Sequence, residues 1–149
     1  MRDGTREYVT YVDASYDDVW DAVTNGDRHV DWNVAPCLAF GHRSGARCAW
    51  GEPRKTLIEG RITTWQPAKG SFAHTFRFTF CDEPESTVEW EVEEQGEVVS
   101  LTVRHELGAK EERPQTWGIV EGSWFLVLAR LKTLLETGGP MPWPAGPEG

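Results

Sequence analysis

His74 and His105 are the side chains best suited to move a proton, because each falls on the apolar side of a segment whose residues alternate in character. Together they would act as general acid and base on a guest held against that face. In the alternative, each is a core or rim histidine satisfied by a neighbouring hydroxyl or backbone group. Cys37, His42 and Cys48, with Cys81 farther along, have a spacing that invites zinc. Strand geometry argues against it, since Cys37 and His42 would point to opposite faces of one strand, leaving the thiols as small buried hydrophobes. Ser123 lies between Gly122 and Trp124 inside a helical pattern, with no nucleophile elbow around it. Gly122 reads as a point of close approach between helix and sheet. No glycine-rich phosphate loop occurs, so neither metal nor cofactor is expected.

The aromatics suggest a binding surface instead. Phe72, Phe76, Phe78, Trp90, Trp117 and Trp124 fall on faces that point inward, and Trp32 closes a short helical turn. Each can be simple core packing, but as a set they suit a flat aromatic guest, which His74 and His105 would orient through a few polar contacts. Glu89, Glu91, Glu93, Glu94 and Glu97 read as a solvated face that deters edge pairing. Glu52 and Glu59 lie nearer a possible cavity mouth.

These residues are carried by a simple succession of elements. A first strand, Glu7 to Asp13, leads to a helix capped by Ser15 with Asp18 in the capping-box position. Asn25-Gly26 ends that helix, and a second turn, Asp27 to Trp32, starts with Asp27 as cap and buries Val30 or Trp32. From Pro36 to Leu107 the period changes to two, with strands expected at Cys37–His42, Ala46–Trp50, Leu57–Trp65, Phe72–Cys81, Thr87–Glu94 and Val98–Leu107. Phe72, His74, Phe76, Phe78 and Phe80 share one face. Val88, Trp90 and Val92 oppose Glu89, Glu91 and Glu93, so one side of the sheet is wet and the other covered. The cover is Gln115 to Glu136, which carries Trp117, Val120, Trp124, Leu128, Leu131 and Leu135 at helical spacing. One domain over residues 1–138 and a flexible Pro/Gly tail over 139–149 follow. The connections Asn25–Ala35 and Gly108–Thr116, poor in periodic apolar positions, are expected to be mobile and to frame the way in.

Composition narrows the partners. The chain has 149 residues, and 24 Asp plus Glu against 15 Lys plus Arg give a net charge of −9. Such a field repels phosphate backbones and anionic lipid heads, which argues against nucleic acid or a membrane surface as main partner while leaving room for a local basic patch. Eight Trp and 39% hydrophobic residues suffice for one packed core. Three cysteines cannot all pair, and the polar N-terminal residues lack a signal-peptide stretch, so a cytoplasmic protein with free thiols is expected.

The order of strand, two short helices, six-stranded meander and long final helix resembles the helix-grip fold of the START-like (SRPBCC) superfamily, which includes the birch pollen allergen. Tyr8 to Ser15 followed by Val19-Trp20-Asp21-Ala22-Val23-Thr24 looks like that family's first strand and helix. Gly60 to Pro67 looks like its central strand, and Gly122-Ser123-Trp124 with Leu128, Leu131, Lys132 and Leu134 to Gly138 looks like its final helix. The subgroup it is most similar to is that of the C-terminal domain of heat-shock ATPase activators. The resemblance implies an α+β domain, a curved antiparallel sheet wrapped round the long helix, with an apolar cavity between them. It implies non-catalytic binding of an aromatic or polycyclic small molecule, in natural-product biosynthesis or in antibiotic self-resistance by sequestration or self-sacrifice. A polyketide cyclase or lyase using the cavity histidines, and a co-chaperone-like regulator of an ATPase, are the alternatives it carries.

Overall fold

Ser15 starts the first helix as its position predicts, its hydroxyl accepting the Asp18 N–H at 3.1 Å. The protein is described over residues 4–145 by a computed structural model. Strand β1 (Thr5–Val12) runs into helix α1 (Tyr16–Thr24), which buries Val19, Ala22 and Val23. A 3-10 turn follows over Gly26–Asp31. Its cap is Asn25 rather than Asp27: the Asn25 carboxamide oxygen accepts from the Asp27 N–H, so the turn begins one residue earlier than expected. Of the two apolar candidates at this turn, Trp32 is buried at 1% exposure while Val30 stands out at 53%.

The period-two region forms β2 (Cys37–Phe40), β3 (Arg47–Glu52), β4 (Lys55–Gln66), β5 (Ser71–Phe78), β6 (Ser86–Gln95) and β7 (Val98–Glu106). With β1 they make one curved antiparallel sheet of seven strands in the order β1-β7-β6-β5-β4-β3-β2. Register shifts near Gly51 and between Ile62 and Thr64 interrupt the ladders of β3–β4 and β4–β5. Gly60 serves a close approach in β4, where a Cβ would stand 2.0 Å from the Thr75 carbonyl oxygen. Strand β5 stops three residues short of the expected Cys81. The Thr79 N–H and hydroxyl turn back to carbonyls at Leu57 and Thr56, and Phe80 leaves the inner face at 53% exposure.

Helix α2 (Pro114–Thr137) crosses the inner face and buries Trp117, Val120, Trp124, Val127, Leu128 and Leu131. Gly122 does not serve close approach, because a Cβ there meets nothing within 4 Å. The helix has no local side-chain cap at Arg113. Its first N–H groups are taken by Glu83 from the β5–β6 connection, whose carboxylate accepts from Gln115 N, Thr116 N and the Thr116 hydroxyl at 2.7–2.9 Å. Burial raises the Glu83 pKa, but these bonds outweigh it and hold the carboxyl below its ordinary range. Glu83→Ala should therefore cost about 1–3 kcal/mol, the worth of a charge-assisted cap, read as a shift of the urea midpoint. A midpoint unmoved by the change would show that the carboxylate caps nothing in solution.

After Gly138 the chain folds back. The Arg130 guanidinium donates to the carbonyls of Met141 and Asp31 and lies 4.4 Å from the Trp143 ring centroid. The expected tail over 139–149 is thus seen only to residue 145, its last four residues lying outside the described residues. No helix among the described residues is long and apolar enough to cross a membrane.

Candidate functional site

The inner face is organised by three indole-to-imidazole hydrogen bonds. Trp50 Nε1 donates to His29 Nδ1 at 3.0 Å, Trp90 Nε1 to His74 Nε2 at 3.1 Å and Trp124 Nε1 to His105 Nδ1 at 3.1 Å. Each accepting nitrogen must be unprotonated, so the other nitrogen of each ring carries the hydrogen. That hydrogen is used in turn. His29 Nε2 donates to the Val23 carbonyl and His74 Nδ1 to the Thr75 carbonyl. His105 Nε2 donates to Ser86 Oγ at 2.7 Å, and the serine hydroxyl passes its own hydrogen to the Phe76 carbonyl. His74 and His105 flank Val88 on one rung of β5–β6–β7. Burial pushes His29 and His74 down to about 4 and His105 to about 3. All three are neutral, with both ring nitrogens engaged inside the protein.

Beside this network runs an apolar groove of about 180 Å³ between α2 and strands β4 and β5. Phe76, Phe78 and Trp124 form its walls with Ile58 and Val127, while Val34, Phe80 and Ile119 stand partly exposed at its rim. A smaller recess of about 30 Å³ continues inward past Phe76 and Trp124 to Trp50, His74 and Trp90. Only Asn33 and Ser123 add polar side chains to the groove lining. The Asn33 Oδ1 is taken by the Val34 N–H at 2.8 Å, which leaves the carboxamide N–H groups as donors. The Ser123 hydroxyl donates to the Ile119 carbonyl and keeps its lone pairs as acceptors.

The profile of the family described as "Activator of Hsp90 ATPase homolog 1-like protein" matches residues 13–136. The chain belongs to this family. Among solved structures, DynU16 from the dynemicin biosynthetic locus is similar at 24% identity and a TM-score of 0.78, over 95% of this chain and 51% of DynU16. The chain therefore spans about half the length of DynU16. CalU16 from Micromonospora echinospora, in its solution structure, is similar at 22% identity and a TM-score of 0.74, over 96% of this chain and 69% of CalU16. The Aha1 dimer from Colwellia psychrerythraea follows at 16% identity and a TM-score of 0.73, over 90% and 97% of the two chains. These likenesses show that the chain shares its fold, a curved antiparallel sheet gripping a long C-terminal helix, with those structures. No protein of curated function matches the sequence.

The aromatic and histidine candidates divide between groove and core. Phe76, Phe78 and Trp124 line the groove, and His74 and Trp90 line the inner recess. Trp32, Phe72, His105 and Trp117 do not. Trp32 donates to the Ala22 carbonyl and packs edge-on against Trp90, and Phe72 stacks on Trp90 at 5.9 Å. Trp117 donates to the Gly108 carbonyl with Arg6 and Lys110 over its ring. Glu59, expected near the mouth, is on the outer face in an ion pair with Arg77, and Glu52 lines neither groove nor recess. Asn33, Ile58, Ile119 and Val127 line the site without having been marked by the sequence, since nothing local distinguishes them from ordinary core or loop residues. The connection 25–35 supplies Asn33 and Val34 to the rim. The connection 108–116 supplies nothing to the lining, and Arg113 ties it to the carbonyls of Pro84, Glu85 and Leu107.

Burial holds Cys37 at about 11 and Cys48 at about 12, so both are protonated thiols at neutral pH. His42 falls outside β2, bonds the Thr24 carbonyl and stacks on Trp65. Among the described residues no group of three or more His, Cys, Asp or Glu is placed to hold a metal.

Proposed function

We propose that this protein binds a flat, predominantly aromatic small molecule in the groove between α2 and β4–β5 and does so without catalysis. The observation that carries the reading is the character of the groove: aromatic faces on its walls, apolar side chains on its rim, and about 180 Å³ of space. A dry apolar cavity of about 150 Å³ accepts benzene, so this groove suits one ring or two fused rings, with the remainder of a larger guest outside. Because the indole N–H groups of Trp50, Trp90 and Trp124 are spent on histidines, the walls offer stacking surface and no donors. Asn33 is the donor at the rim, which favours a guest carrying a carbonyl or ether oxygen at its edge.

The same hydrogen bonds weigh against a cyclase or lyase working through His74 and His105, because neither ring has a nitrogen left for a substrate. A setting in natural-product biosynthesis draws its support from the likeness to DynU16, a protein of the dynemicin biosynthetic locus, and self-resistance by sequestration or self-sacrifice would be one role within such a setting. Regulation of a large ATPase is the second reading, and the family match and the likeness to Aha1 are what favour it. It calls for a protein partner rather than a groove ligand.

Tetralone and tetralin differ by one carbonyl oxygen and make a direct test. Both should shift the NMR signals of Trp124 and Trp90 saturably, and Ser123→Phe, which fills the groove from an incompletely buried helical position, should weaken both by about tenfold or more. If neither compound nor a wider panel of fused aromatics perturbs these signals, the groove is not a ligand site.

A further inference from the structure

The negative charge of the chain conceals a basic region. Residues 43–77 carry seven Lys or Arg against two Asp or Glu, a net of +5, while the rest of the chain carries −14. Strands β3, β4 and β5 bring much of this charge to the outer face, away from the groove. There Arg47 and Arg61 are direct partners in the β3–β4 ladder, so two exposed cations stand side by side. Like charges placed directly opposite on adjacent strands repel. Elsewhere on the outer face the arrangement differs: Arg104 is held by Glu7, Glu89 and Glu91, and Arg77 by Glu59. Among the described residues no side-chain hydrogen bond or ion pair is made by Arg47 or Arg61, in a chain that has carboxylates to spare.

The two arginines line an open recess of about 390 Å³, together with Gly45, Gly60, Thr75 and Arg77. The Thr75 hydroxyl oxygen accepts the Arg61 backbone N–H at 2.9 Å, and its own hydrogen remains to be donated. Glu59 and Glu85 also line the recess. Glu59 is neutralised by Arg77, and Glu85 is the one carboxylate there that an incoming anion must avoid. We propose that this recess binds a phosphate group, bridged by the Arg47 and Arg61 guanidinium forks with the Thr75 hydroxyl as a further donor. Two forks and a hydroxyl supply more N–H and O–H bonds than the two oxygens of a carboxylate can use, whereas a phosphate dianion presents three terminal oxygens. Such a ligand converts the cross-strand repulsion into a pair of charge-assisted contacts. The site is separate from the aromatic groove and stands whether or not the groove reading does.

Inorganic phosphate and phenyl phosphate, titrated at constant ionic strength against chloride, test it. Both the Arg Nε–H NMR signals and the melting temperature should respond saturably in the wild-type protein. Arg47→Gln and Arg61→Gln should each weaken binding by about fivefold or more, as expected for loss of a charge-assisted contact, and the double variant should abolish it. Arg54→Gln, in the neighbouring turn, should leave it unchanged. All three positions are exposed, so the variants should fold, and in phosphate-free buffer Arg61→Gln should melt slightly higher than wild type because the repulsion is relieved. Tighter binding of phenyl phosphate would identify a phosphorylated organic molecule as the ligand, and equal binding would identify free phosphate. A response that is absent, or that persists in the double variant, would overturn the site.

Discussion

Lowering the pH from about 7 to about 4.5 should remove much of this protein's folding stability, because unfolding then takes up about three protons. His29, His74 and His105 are neutral when folded because burial holds them at about 4, about 4 and about 3. In the unfolded chain they titrate near about 6.5, so between these values the unfolded state binds more protons than the folded one. Their contribution is fully present above about pH 6.5 and is lost as the pH falls toward the folded values. Each histidine removes about 1.4 kcal/mol per pH unit over that window, so three together remove about 8 kcal/mol by about pH 4.5. A domain of this size has about 5–15 kcal/mol in total. Glu83 and Glu136, whose carboxyls hydrogen bonds hold below the ordinary range, extend the loss at more acid pH. Urea midpoints followed by Trp fluorescence at neutral and mildly acid pH measure the slope directly. If they coincide, the three imidazoles are not buried as neutral rings.

His105→Leu should cost about 2–4 kcal/mol at neutral pH and should also flatten the acid dependence by about a third. The cost arises because leucine leaves the Trp124 indole N–H buried with no acceptor and cannot reproduce the ring contacts that His105 makes with Phe76 and Trp124. Ser86 loses its imidazole donor but keeps its bond to the Phe76 carbonyl, so the damage is centred on the helix side of the network. The flattening follows because one of three titrating groups has been removed. A variant that is destabilised but keeps the full acid slope would mean that His105 packs without being held neutral. One as stable as wild type would dispose of the hydrogen-bonded network altogether.

Much of the fold was legible in the sequence because local physics dictates it. The alternation in Phe72 to Phe78, Val88 to Val92 and Val99 to His105 fixes which side chains face inward, since a strand cannot turn one residue without turning them all. Ser15 capped its helix as expected, and the helical spacing from Trp117 to Leu135 matched α2. The family resemblance lay in those same segments. Where a cap came from outside its own segment, local reading failed, as with Glu83 reaching the start of α2 across more than thirty residues. Phe80 shows the same limit at a strand end, where hydrogen bonds from Thr79 to the carbonyls of Thr56 and Leu57 in β4 ended a pattern that the alternation would have continued.

The candidate site was only partly readable, and the division has one cause. Placing an aromatic on the inner face is a property of its strand, but whether that face meets another side chain or open space depends on what the helix brings opposite it. Phe72, Trp32 and Trp117 have the same sequence character as Phe76 and Trp124, yet the first three are enclosed and the last two border the groove. His74 and His105 were found by their odd position among apolar neighbours and His29 was not, and the tautomers of all three were set by indoles from β3, β6 and α2, which sequence distance does not reveal. Arg47 and Arg61 likewise became neighbours only through the β3–β4 register. The sequence by itself determined which faces are apolar, where the elements start and to which fold they belong, because period and capping act within a few residues. The tertiary structure alone decided which aromatics enclose space, which nitrogens are spent and which cations stand together, because each of those depends on contacts between residues far apart in the chain.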